Sequence, residues 1–211
     1  DLIIPALLQT IYMVFFSTFF SLLLGFPAGV LLVITEDKGI WEKKQLNRVL
    51  NGIINTLRSF PFIILMILLF PLSKLLIGKT IGTTATIVPL SIAAAPFVAR
   101  VIESSLKEID KGIIESSLAM GCSVPEIIFK VLIPESLPSL ILGVTTTVIN
   151  IIGYSAMAGA IGGGGLGDVA IRYGLYRFQT DVMIVAVVVI IILVQGIQFV
   201  GNRLSTKLNK K

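Results

Sequence analysis

The sequence contains no histidine and a single cysteine, Cys122. Those absences exclude a disulfide framework, a Cys/His zinc centre and a Cys–His nucleophile pair. Charge is scarce as well. Asp, Glu, Lys and Arg make up 14% of the 211 residues, against about 25% in an ordinary soluble domain. No G-x-x-x-x-G-K-[ST] loop occurs, so the chain is not expected to bind ATP itself, and no cofactor is implied. What replaces the missing polar residues is hydrocarbon. Apolar residues reach 55% and the mean hydropathy is +0.97, which excludes a soluble globular, disordered or collagen-like chain. An integral membrane protein remains.

Five apolar stretches are long enough to cross a bilayer, each needing about 20 residues. They run over about 7–34, 49–70, 81–101, 137–160 and 182–200. The pattern predicts an all-α membrane protein with one transmembrane domain over residues 1–211. The apolar stretch within Ala6–Ile34 is too long for a signal peptide and no A-x-A pattern closes it. The start at Asp1 rather than Met suggests residues upstream.

Orientation follows from the basic residues. One set of intervening segments holds Lys38, Lys43, Lys44, Arg48, Arg100, Lys107, Lys111, Lys130, Arg203, Lys207, Lys210 and Lys211. The opposite set holds only Lys74, Lys79, Arg172 and Arg177. The positive-inside bias puts the richer set in the cytoplasm, with the N-terminus out and the C-terminus in. The formal charge of +5 is therefore a topology signal, and no nucleic-acid binding is expected. Arg58 is the one charge well inside a stretch. It reads first as an interfacial or partner-contacting cation, with a substrate ligand as the alternative. No Asp or Glu lies mid-span, which disfavours proton- or sodium-coupled transport.

The longest segment between spans, 102–136, reads as helix, turn, helix. Asp110 is placed to cap a helix over about 111–120, and Gly121 falls where a left-handed residue ends it. Ser123 and Glu126 form a capping box for a second helix over about 124–133, expected to stop before Pro134. Ile113, Ile114, Leu118, Ile127, Ile128, Val131 and Leu132 give the pair an apolar surface that must be buried somewhere.

Glu115-Ser116-Ser117, three residues, Gly121, nine residues and Val131-Leu132-Ile133-Pro134 resemble the EAA loop of ABC-type importer permeases. Glutamate, glycine, proline and every spacing agree, while serines replace both alanines. The resemblance implies a type I importer permease fold whose cytoplasmic helix-turn-helix docks in a cleft of a separate ATPase subunit. Glu115, Ser116, Ser117, Ala119, Gly121 and Pro134 would then form the ATPase contact, Glu115 through a charge-assisted bond. Phe60-Pro61-Phe62, Ala94-Ala95-Pro96-Phe97, Gly153-Tyr154-Ser155-Ala156-Met157-Ala158-Gly159 and Gly162–Gly167 are similar to the permeases of methionine importers in particular. That likeness implies a homodimer in the bacterial inner membrane, two ATPase copies, a surface-tethered substrate-binding lipoprotein and methionine (D or L) as cargo.

By the same likeness Met157, with Tyr154 and Ser155, would form the translocation gate. From the residues alone, Met157 reads equally as core or lipid-facing filler. The glycine run formally fits G-x-G-x-x-G, but it opens no βαβ unit and has no acid about twenty residues on. It reads as an external loop with close backbone packing. Cys122 reads as a reduced cytoplasmic thiol. Competing functions are a permease for another small amino acid or related solute, an ATP-independent transporter or channel, and a membrane scaffold.

Overall fold

A computed structural model describes residues 2–209, all of whose regular structure is helical. Lys210 and Lys211, counted above, lie outside the described residues. The helices are α1 (Ile3–Ile34), α2 (Lys44–Ser59), α3 (Phe62–Leu68), α4 (Phe70–Ile77), α5 (Thr83–Lys107), α6 (Lys111–Ala119), α7 (Val124–Ile127), α8 (Ile133–Gly159), α9 (Gly165–Val169) and α10 (Thr180–Leu208). A π-turn, Ile128–Leu132, joins α7 to α8, and another, Ala170–Leu175, follows α9.

Four helical runs among the described residues are long and apolar enough to cross a membrane: Ile3–Ile34, Thr83–Lys107, Val124–Gly159 and Thr180–Leu208. The stretch 49–70, expected as one span, is a broken pair. The chain turns by 103° between α2 and α3. Pro61 supplies no amide hydrogen and Phe60 takes an extended ψ of 132°, so the ladder stops at Ser59 although the hydropathy runs on. The pair makes a fifth crossing only if taken as a single span. Residues 71–77, expected in a loop, continue α4, which Gly78 ends in a left-handed conformation (φ +79°). The segment after the third apolar stretch also begins later than expected, because α5 continues to Lys107 with Ile102 and Leu106 in the core.

Helix α1 packs against α5 through two glycines four residues apart. A Cβ added to Gly25 would sit 2.5 Å from the Ala95 carbonyl oxygen, and one added to Gly29 would sit 2.6 Å from that of Ala99. This small-xxx-small face lets the backbones meet, which matters where lipid tails compete equally for apolar side chains. Hydroxyls inside the helices are mostly satisfied by the preceding turn. Ser91 donates to the Ile87 carbonyl, Thr145 to Ile141 and Thr147 to Gly143. At the C-terminal end of α5, Glu103 accepts from Arg100 at 2.6 Å and from Lys107 at 2.9 Å. Lys107 also reaches Glu36 at 2.8 Å, and Arg100 donates to Asn55 at 2.7 Å. One charge network thereby ties the ends of α1, α2 and α5 together.

The glycine run turns back into the bundle. Gly162, Gly164 and Gly165 have positive φ, and the Gly165 and Leu166 amides donate to the Gln9 and Thr10 side chains at 2.9 Å each. Gly167 lies against the backbone of Ala156 with no room for a Cβ. The close backbone packing expected of this run is what requires its glycines.

Candidate functional site

The segment between α5 and α8 is built by caps legible in its sequence. The Asp110 carboxylate accepts from the Gly112 amide at 2.6 Å and starts α6. At the other end the Cys122 amide reaches the Ser117 carbonyl at 3.1 Å, and the Gly121 amide reaches Leu118 at 2.9 Å. That double closure around Gly121 (φ +81°) is a Schellman ending. The amide and hydroxyl of Ser123 both donate to Glu126, at 3.0 and 2.8 Å. These bonds, with Lys130 at 3.0 Å, hold the Glu126 carboxyl down at about 2.

The second helix does not stop before Pro134 as expected. It runs on from Val124 to Gly159 without a break. The reason is the π-turn: the Ile133 amide bonds back five residues to the Ile128 carbonyl. The register slips by one residue where Pro134 has no amide to give, and the helix passes through. The second helix of the 102–136 segment and the fourth apolar stretch are therefore one 36-residue rod.

The apolar residues of this segment divide between two surfaces. Ile127 and Leu132 are fully buried in a cluster with Val30, Val33, Ile102 and Leu106 at the ends of α1 and α5. Met120 (76% exposed), Phe129 (70%), Leu118 and Ile113 face outward. Of the residues assigned to the ATPase contact, Glu115, Ser116, Ala119 and Gly121 are exposed together on α6 and its turn. Ser117 is not with them. It is 4% exposed and donates to the Ile113 carbonyl. Pro134 is exposed but lies on the following helix, beyond the π-turn. Met120 and Phe129 extend the outward apolar surface. Their signal in the sequence was weak, since neither belongs to the E-A-A, glycine, proline pattern.

The second candidate region is on α8. Leu142, Thr146, Asn150, Gly153, Met157 and Ala160 recur at steps of three and four residues and stay open or half open. A stripe holding Thr, Asn and Gly is not a surface suited to lipid tails. Met157 is 48% exposed on it. Tyr154, one turn away, stacks on Phe62 of α3 with ring centroids 4.5 Å apart and an interplanar angle of 9°. Ser155 points elsewhere: it is 3% exposed and donates to the Ile152 carbonyl. Tyr154 and Met157 are brought together and Ser155 is turned into the bundle, as a 100° step per residue requires.

Residues 21–211 match a family described as the binding-protein-dependent transport system inner membrane component. The chain belongs to this family. Members of the binding-protein-dependent transport family that it resembles include the probable D-methionine transport system permease protein MetI of Vibrio cholerae. That relative is 48% identical over 211 residues, covering all of this chain and 94% of the relative. The methionine import system permease protein MetP of Bacillus subtilis is 45% identical over 86% of this chain and 82% of its own. A solved inward-facing structure of the MetNI methionine ABC transporter superposes with a TM-score of 0.97 at 42% identity, covering 99% of this chain and 97% of that one.

Proposed function

We propose that this chain is the permease subunit of an ATP-driven importer of methionine, working in the bacterial inner membrane. It hydrolyses nothing itself. Its partners are a second copy of the chain, two copies of a separate ATPase subunit and an external substrate-binding lipoprotein. What carries the reading is a match along nearly the whole chain to the permease of a methionine ABC transporter, joined by relatives named for methionine transport.

On this reading the chain crosses five times, with the bent α2–α3 pair as one crossing, N-terminus out and C-terminus in. The excess of Lys and Arg on one side supports that orientation. Glu115, Ser116, Ala119 and Gly121 meet the ATPase, helped by Met120 and Phe129, and Met157 with Tyr154 closes the pathway on the dimer axis. A helix seated in a cleft transmits closure of the ATPase pair to the rod that carries Met157. A thioether suits such a seal because it fills an irregular gap and moves aside at low cost.

Reconstitution into proteoliposomes with the cognate ATPase and binding protein tests this. ATP-dependent accumulation of labelled methionine is expected. Flux without the ATPase, or accumulation of a different solute only, overturns it.

A further inference from the structure

One charged group is left unexplained by either candidate region. Arg58 sits in the last turn of α2, just before the break at Phe60–Pro61. It lines a small crevice of about 190 Å³ with Phe60, Phe62, Phe97 and Tyr154. Its guanidinium makes no hydrogen bond and no ion pair among the described residues. The crevice is deep. Ala93, which also lines it, stands ten residues after the start of α5 at Thr83 and seven before Arg100, near the middle of that apolar stretch. A cation held there without a counter-charge is costly unless it faces water or an anion.

The surroundings define which anion fits. The crevice opens beside Tyr154, which shares the open face of α8 with Met157. Because Pro61 has no amide hydrogen and Phe60 makes no capping bond, the carbonyls of residues 56–59 lack backbone partners among the described residues. Arg58 and these free acceptors belong to the same last turn of α2. A free amino acid presents the complementary pair, a carboxylate for the guanidinium and an ammonium for the carbonyls. The stacked Phe62 and Tyr154 rings supply an apolar wall for its side chain.

We propose that Arg58 and the open end of α2 form a transient binding station for the zwitterionic backbone of the transported amino acid, halfway along the pathway. The inference rests on the permease reading above. A cation here lowers the barrier that the carboxylate meets in the apolar constriction, without regard to the side chain attached to it.

The test uses the reconstituted complex, stripped of other reactive thiols by Cys122→Ser and equivalent changes in its partners. ATP-dependent methionine uptake by this parent is measured first, and its absence in both the parent and the unmodified complex overturns the permease reading itself. Arg58→Cys is expected to lower uptake by about tenfold or more, the size of a lost charge-assisted hydrogen bond. Modification with 2-aminoethyl methanethiosulfonate, which restores a cation, is expected to recover most of the loss, while neutral methyl methanethiosulfonate recovers little. Uptake untouched by the substitution, equal rescue by the neutral reagent, or a thiol unreactive toward water-soluble reagents throughout turnover overturns the station. If the cysteine variant fails to assemble, Arg58→Lys against Arg58→Gln decides. Retained uptake in the first and loss in the second, at equal complex recovery, supports the station, and equal uptake in both refutes it.

Discussion

Met157 and Gly121 are single residues whose surroundings make sharp demands. Met157 is half exposed on a stripe of small and polar neighbours, so truncation removes its bulk without opening a hole in the core. If it seals the pathway, Met157→Ala raises ATP hydrolysis in the absence of substrate and lets ions leak, measurable as basal phosphate release and loss of a vesicle potential. Gly121 is the opposite case. An added Cβ there meets nothing within 4 Å, so any penalty comes from φ +81° alone. Gly121→Ala is expected to cost roughly 1–2 kcal/mol of local stability, seen as faster hydrogen exchange across α6 and weaker recovery of the ATPase on pull-down. Glu115→Ala is expected to weaken the same recovery without altering exchange, since Glu115 is exposed and makes no hydrogen bond or ion pair among the described residues.

At the scale of elements, the hairpin of α6 and α7 depends on a carboxylate. Glu126 is held at about 2, below an ordinary 4.5. A depressed folded-state pKa contributes stability that is complete above about 4.5 and is lost as pH falls through about 2. Exchange protection at the start of α7 is accordingly expected to persist at pH 5 and to decline on acidification toward pH 2. In Glu126→Gln it is expected to be lower and insensitive to pH over that interval. The inner face of the same hairpin is held by packing. Ile127→Ala, at a fully buried position, is expected to cost about 2–5 kcal/mol and to loosen the hairpin from α1 and α5. Both the caps and the turn of this hairpin were legible because Asp110, Gly121, Ser123 and Glu126 act within a few residues of one another. The bend between α2 and α3 was not, because hydropathy passes unbroken through Phe60–Pro61 while the hydrogen-bond ladder does not. Pro134 misled for a related reason. A proline marks a missing donor, and a π-turn upstream moves the register so that the donor is not needed. The paired Gly25 and Gly29, by contrast, carry a small-xxx-small signal four residues apart inside the first apolar stretch. The inward turn of Ser155 was equally available from helical periodicity once Met157 was placed.

The whole molecule joins these parts through α1 and α5, whose glycine-lined contact brings their backbones together. Gly29→Leu is expected to push the two helices apart and to lower the melting temperature of the purified complex, since the Ala99 carbonyl leaves no room for a side chain. Gly196→Ala, at a position where an added Cβ meets nothing within 4 Å, is the control expected to leave melting unchanged. The continuous helix from Val124 to Gly159 has a further mechanical meaning. Glu126 and Met157 stand about 47 Å apart along it, joined by a continuous helical run. Rocking that shaft by about 5° displaces its far end by about 4 Å, roughly the thickness of an aromatic ring. On the reading proposed above, small rotations at the end that meets the ATPase are geared up, by leverage alone, into movements at Met157 large enough to pass or stop an amino-acid side chain.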